Sequence, residues 1–250
     1  MTQPTFKNFL KELENFLKKK INNKSPLVIY SSIWQPCLYF RISPKEFSES
    51  IIKILVNISK KNSVLMPSFI RTKKKIINLN SEPSISGYLT NQFMSKNKVK
   101  RLICPVFPFL VLGKEYHSLK NLTSTEVWGK NSVTEYLYKR NAYIFTLGTH
   151  PTECSLSHYA EWLNKDKIFY RKIKIKNFNL IYNKKNYRIK KKLFVRKKNV
   201  KYNFRKFYKS ELKNGMEIKK IGKIIISITN AKKKINIIRD KLKKNPEYLL

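Results

Sequence analysis

Apolar side chains at Phe6, Phe9, Leu10, Leu13, Phe16 and Leu17 recur at the spacing of one helix face, with Lys and Glu between them. They predict a helix over 5–20. Pro26-Leu27-Val28-Ile29-Tyr30 reads as a short buried strand that ends in Ser31-Ser32. A second helix is expected from Phe47 to Ser59, with Ser43 or Pro44 near its start. Asn62 to Pro67 reads as the next strand, stopped by Pro67. Strand, helix, strand in succession argues for a layered α/β fold. Residues 71–100 are irregular and polar. Val106 to Leu112 is apolar except at Pro108, and a proline argues against a central strand there.

Further along, Ser132 to Asn141 predicts a short helix leading into a strand at 142–147. A helix is expected from Leu156 to Leu163. Lys172-Ile173-Lys174-Ile175-Lys176 alternates, as does Tyr187-Arg188-Ile189-Lys190. These patterns predict exposed antiparallel strands arranged as a pair of hairpins. One more strand fits 221–230, and Ile235 to Lys244 predicts a closing helix before Asn245-Pro246. No internal repeat and no linker divides the chain, so residues 1–250 read as a single domain.

The 250 residues are 42% apolar, enough for a sizeable core. No run is apolar and long enough to span a bilayer. Met1-Thr2-Gln3-Pro4 lacks the basic-then-apolar order of a secretory signal. Cys37, Cys104 and Cys154 are odd in number and far apart, which excludes a metal pair and a disulfide framework and fits a cytoplasmic setting. The charge is +39, carried by 45 Lys and 9 Arg against 15 acidic residues. Lys, Asn and Ile dominate together, which is compositional bias as much as a selected basic surface. The field still favours anionic partners.

Gly148 to Glu161 carries the clearest chemistry. Ser155, His158 and Glu161 are three residues apart, so a helix would place them on one face. Hydroxyl, imidazole and carboxylate at a strand-loop-helix junction point to acid–base work. The plainer alternative is a Ser cap, a packed His and a Glu paired with Lys165 at the surface. His117 and His150 read as loop residues. Ser132 and Glu135 have the spacing of a capping box.

In order along the chain, several segments match one family. Leu27-Val28-Ile29-Tyr30-Ser31-Ser32 is similar to a first strand that usually ends His-Ser-Ser, and Val64-Leu65-Met66-Pro67-Ser68-Phe69 to a Leu-Met-Pro-Thr-Phe strand. Pro83-Ser84 with Gly87-Tyr88-Leu89, Trp128-Gly129-Lys130-Asn131-Ser132, and Gly148 through Glu161 follow at plausible spacings. Ser155 stands at the Thr position of the last motif. The chain thus resembles the aminoglycoside 3-N-acetyltransferases. The resemblance implies an α/β fold with a central mixed sheet flanked by helices, plus an antiparallel β-hairpin region in the C-terminal third (basic over 171–208).

It further implies transfer of acetyl from acetyl-CoA to an amino sugar. His158 would be the general base and Glu161 its orienting partner. Ser31, Ser32, Ser132 and Ser155 would contact the cosubstrate. Cys104 and Asn91 stand where the family has His and Glu, on the acceptor side, and Tyr30 replaces the first-strand His. No metal is implied, and a homodimer is allowed. Loss of acidic residues and a +39 field disfavour a polycationic drug. They favour a nucleotide-linked or surface-polysaccharide amino sugar. Two alternatives stay open: a family member with eroded catalysis, and a nucleic-acid binder. The latter would use the Lys- and Arg-rich stretch with Phe178, Tyr182, Tyr187, Phe194, Tyr202, Phe204, Phe207 and Tyr208.

Overall fold

The computed structural model describes residues 4–21, 24–70, 74–122, 124–201 and 203–250. In chain order the elements are α1 (Phe6–Lys20), β1 (Leu27–Ser31), α2 (Trp34–Phe40), α3 (Pro44–Ser59), β2 (Val64–Pro67) and β3 (Ile76–Asn78). Then come α4 (Tyr88–Met94), β4 (Lys100–Arg101), β5 (Phe109–Leu112), α5 (Glu115–Lys120), α6 (Val133–Lys139), β6 (Tyr143–Leu147) and α7 (Ser157–Leu163). The last third holds β7 (Arg171–Tyr182), β8 (Lys185–Arg196), a 3-10 turn (Phe204–Phe207), α8 (Tyr208–Lys213), β9 (Glu217–Ile221), β10 (Ile224–Asn230) and α9 (Ala231–Lys244).

Seven strands form one mixed sheet in the order β4-β5-β2-β1-β6-β10-β9. The centre is parallel: β1 runs with β2 on one side and β6 on the other, and the outer strands are antiparallel. The apolar run of β1 is explained by this position, because helices cover both faces. Leu27 and Ile29 pack into a core with Phe9 and Leu13 of α1 and Phe47, Ile51 and Leu55 of α3. Val28 and Tyr30 point the other way, into a core with Ala160 of α7 and Ile235, Ile238 and Leu242 of α9. Thr5 caps α1 and Ser43 caps α3, each hydroxyl accepting from the amide three residues on, and Pro44 opens α3.

Several expectations are corrected. Residues 109–112 do form a strand, second from the edge and buried throughout. Pro108 lies just before it, and its carbonyl accepts from the Ser68 amide at 2.8 Å, so no ladder donor is lost. The strand expected at 221–230 is β10, beginning at Ile224, and an unforeseen strand β9 (Glu217–Ile221) precedes it across a turn at Gly222. Its φ is +60°, and a Cβ there would strike the Tyr39 ring. His117 sits on α5 rather than in a loop.

The basic region is one long hairpin, not a pair. β7 and β8 pair over twelve residues each, from Arg171↔Arg196 to Tyr182↔Lys185. Asn183 and Lys184 both take positive φ (50° and 62°), the requirement of a tight two-residue turn. With β3 the hairpin makes a second, three-stranded sheet. The hairpin ends at Arg196, and residues 204–208 are helical. Three aromatic residues of this stretch serve packing in the core. Tyr182 is buried with Leu180, Ile70 and Ile77, while Phe194 and Phe207 enter the main core. Phe178, Tyr187, Phe204 and Tyr208 are half-buried, and Tyr202 lies outside the described residues. No described helix is long and apolar enough to cross a membrane.

Candidate active site

Parallel strands β1 and β6 end side by side, and the loops beyond them frame a cleft of about 390 Å³. Clefts of open α/β sheets form at such carboxyl ends. Gly148 makes the turn out of β6. Its φ is +65°, and a Cβ there would run into the Ser32 carbonyl oxygen and the Pro36 ring. Glycine is therefore required for the two loops to approach this closely. The cleft is lined by the hydroxyls of Ser31, Ser86, Thr90, Thr149 and Ser155, by apolar Ile29, Pro67 and Phe69, and by His158.

His158 is held from several sides. Its Nδ1 lies 2.6 Å from Oε2 of Glu161, and its side chain is 23% exposed while that of Glu161 is fully buried. The ring stands between Trp128 and Phe204, with centroids 5.3 and 5.5 Å away. Glu161 is not a surface partner of Lys165. It accepts from Arg171, the first residue of β7: Nε to Oε1 at 2.8 Å and Nη2 to Oε2 at 2.9 Å. Arg171 Nη1 donates to the Phe194 carbonyl oxygen at 2.6 Å, and the guanidinium lies over the Phe194 ring. Burial alone would push Glu161 up, but His158 and Arg171 outweigh it and hold the carboxyl below its ordinary value. Burial draws His158 below its ordinary value; Glu161 opposes this, while Arg171 and Arg196 add to it.

Ser155 does not share a helix face with His158 and Glu161, because it lies in the turn before α7. Its hydroxyl instead meets the Tyr30 hydroxyl at 2.8 Å, tying the end of β1 to the start of α7. Burial, with Cys154 beside it, pushes the Tyr30 phenol well up, so it stands as a neutral hydrogen-bonding group. Ser31 faces the cleft. Ser32 is exposed beyond it, with its amide donating to the Leu147 carbonyl oxygen at 2.9 Å.

Cys104 and Ser132 line a smaller, neighbouring cavity of about 60 Å³. Phe107 and Trp128 also line it, and their contacts with Phe69 and His158 form an aromatic wall against the main cleft. Ser132 caps α6, accepting from the Glu135 amide at 3.2 Å, while Glu135 turns back to the amide of Asn131. Asn91 does not line the cleft. Its amide clamps Ser84 at both backbone groups (2.8 and 2.9 Å) and shapes the loop that carries Ser86. His150 stays in a loop and pairs with the Thr152 hydroxyl at 2.7 Å. The described residues hold no cluster of three or more metal-ligating side chains.

Arg171 and the flanking aromatics Trp128 and Phe204 were absent from the expected site. One signal pointed to Arg171: it is one of nine arginines in a chain that uses lysine almost everywhere.

Fold and site together define an α/β protein with a part-buried histidine–carboxylate pair at its sheet's carboxyl edge. The sequence model of the aminoglycoside 3-N-acetyltransferase family matches residues 57–243, and the chain belongs to that family. Similar solved structures include AAC-IIIb with CoASH (TM-score 0.77, 14% identity, 97% of each chain). YokD from Bacillus subtilis is another (0.74, 17%, 94% of this chain and 99% of that one). The AAC(3)-IVa apoenzyme is a third (0.72, 16%, 100% and 92%). No curated protein sequence matches. Enzymes of the family use acetyl-CoA as cosubstrate.

Proposed function

We propose that this protein is an acetyl-CoA-dependent N-acetyltransferase in which His158 is the general base and Glu161 sets its orientation. The observation that carries this reading is the 2.6 Å contact of His158 Nδ1 with buried Glu161 at the wall of the cleft. A thioester acetyl group needs a neutral amine to attack it. With Nδ1 committed to Glu161, Nε2 is the ring atom that takes the amine proton. Because burial draws His158 below its ordinary value, the ring is unprotonated at neutral pH and ready to accept.

The cleft fits the cosubstrate. Ser31, Ser86, Thr90, Thr149 and Ser155 offer hydroxyls for the amides of a pantetheine arm, and Phe69 and Pro67 offer apolar contact. The chain's +39 charge favours its phosphates.

For the acceptor we propose an anionic amino sugar, nucleotide-linked or on the way to a polysaccharide. The carboxylates lining the two cavities are Glu153 and Glu126. Glu153 lies 3.1 Å from Arg205 and Glu126 3.9 Å from Lys192. Each already has a basic neighbour that competes with a polycation for it, although AAC(3)-IVa was solved with gentamicin. The three thiols are unpaired, as a reducing cytoplasm allows.

The test is thiol release from acetyl-CoA with a uridine-diphosphate amino sugar or kanamycin as acceptor. The nucleotide sugar is expected to be the better acceptor, and comparable turnover of the drug sinks the acceptor assignment. His158→Ala is expected to lower kcat roughly 10²–10⁴-fold. Unchanged turnover in that variant removes His158 as base.

A further inference from the structure

We propose that Arg171 is a positioning residue for the transfer reaction: its guanidinium fork fixes the Glu161 carboxylate so that the His158 proton stays on Nδ1 and Nε2 faces the amine as base. This rests on the reading of His158 as the base, and the experiment below separates the two.

The argument is geometric. Arg171 Nη2, His158 Nδ1 and Glu161 Oε2 form a triangle with sides of 2.9, 2.9 and 2.6 Å. A guanidinium only donates, and a carboxylate only accepts. If Nδ1 lacked a proton, its lone pair would face the carboxylate oxygen at 2.6 Å, two acceptors in repulsive contact. With the proton on Nδ1, the ring and Arg171 both donate to Oε2, and on the 2.9 Å side between Nη2 and Nδ1 the two donors stand side by side with their hydrogens turned toward that oxygen. The shorter 2.6 Å side therefore favours the proton on Nδ1, and it does so only while Oε2 stays in place.

Oε2 is kept in place by the fork. Nε takes Oε1 and Nη2 takes Oε2, while Nη1 is tied to the Phe194 carbonyl oxygen on the neighbouring strand. Arg171 is 5% exposed at its side chain. A lysine cannot make this arrangement, since one ammonium has neither the planar fork nor three fixed directions. The base of the hairpin is thus locked to α7, and the register Arg171↔Arg196 sets where the fork lies.

Charges around His158 come from Glu161 on its own helix, Arg171 on β7 and Arg196 on β8. Glu153 and Cys154 stand along the same cleft, while Trp128 and Phe204 flank the ring without charge.

The chain has three histidines, His117, His150 and His158, so selective ¹⁵N-histidine labelling gives three imidazoles, with His158→Gln assigning the third. In the wild type the His158 proton is expected on Nδ1, with the ring neutral at pH 7. Arg171→Gln removes the fork and one positive charge. The His158 midpoint should rise by about one pH unit, the acid limb of kcat/KM should move with it, and the tautomer should become mixed. Turnover with the better of the two acceptors above should fall roughly 10–100-fold in kcat, with a smaller change in the KM for acetyl-CoA. Arg171→Lys, which keeps the charge, guards against misfolding of the first variant. It should keep the midpoint near the wild-type value and still lose kcat.

Wild-type tautomer, midpoint and pH profile in Arg171→Gln overturn the proposal, whatever happens to kcat. So does full kcat in Arg171→Lys. An active His158→Ala overturns the underlying base assignment instead.

Discussion

Two buried carboxylate–cation pairs sit within the same core, and they behave differently. Glu161 pairs with Arg171 against His158 at the edge of the cleft. Glu211 of α8 pairs with Lys234 of α9, both oxygens within 2.8 Å of the ammonium, with side chains 1% and 0% exposed. Arg171 grips its partner with a fork and His158 adds a third contact, so Glu161 is held below its ordinary value. At Glu211 burial outweighs the single ammonium and pushes the carboxyl up. Lys234 also lies 3.5 Å from the Pro151 carbonyl oxygen, under the loop that carries the His158 motif. One pair therefore reaches solvent through a titratable ring. The other is sealed, with nothing to transfer a proton to. Burial of opposite charges is common to both, and access to the cleft is what separates them.

The largest effect that tests this contrast is on stability. Glu211→Ala leaves Lys234 buried without a counterion and should cost about 3–5 kcal/mol, read as a large fall in Tm. Glu211→Leu with Lys234→Met should restore most of the loss while leaving acetyl transfer near wild type. Transfer lost in the refolded double variant would show that the sealed pair shares in catalysis.

Acid should strike the open pair in two stages. His158 and Glu161 both have folded values below their unfolded ones, so the unfolded chain binds more protons and stability rises with pH and is lost on acidification. The His158 contribution is complete above about pH 6.5 and is lost as pH drops through its lowered folded value. Glu161 holds until pH drops below the ordinary Glu range. Subtracting the pH–stability curve of His158→Gln from the wild type should isolate the first stage, and a flat difference would contradict it.

The smallest effect concerns the neutral bond beside the pair. Tyr30→Phe removes the 2.8 Å contact with Ser155 and should cost about 1 kcal/mol by denaturant unfolding. Because that bond carries no charge, its loss should be equal at pH 5 and pH 8. A pH-dependent loss would tie Tyr30 to the Glu161 pair after all.

Much of the sheet was legible in advance. The strands at 27–31, 64–67 and 143–147 and the helices α1, α3, α6, α7 and α9 follow from apolar periodicity and capping residues that act locally. The short elements α2, β3, α4, β4, α5, α8 and β9 were not foreseen, since elements this short carry little periodicity of their own and nothing beside them marked them as Ser132 marked α6. At the site, His158 and Glu161 were legible because three-residue spacing on a helix is a local fact. Ser155 was placed with them wrongly because the helix begins two residues later.

The sequence by itself determined the two-faced strand pattern, the order of family-like motifs and the His158–Glu161 spacing, each of which depends on neighbours along the chain. Only the tertiary structure decided which cation meets which carboxylate. With 54 basic residues available to 15 acidic ones, sequence cannot choose a partner. The choice falls to burial and register, which bring Arg171 of the hairpin onto Glu161, Lys234 onto Glu211, and Tyr30 to Ser155, 125 residues away.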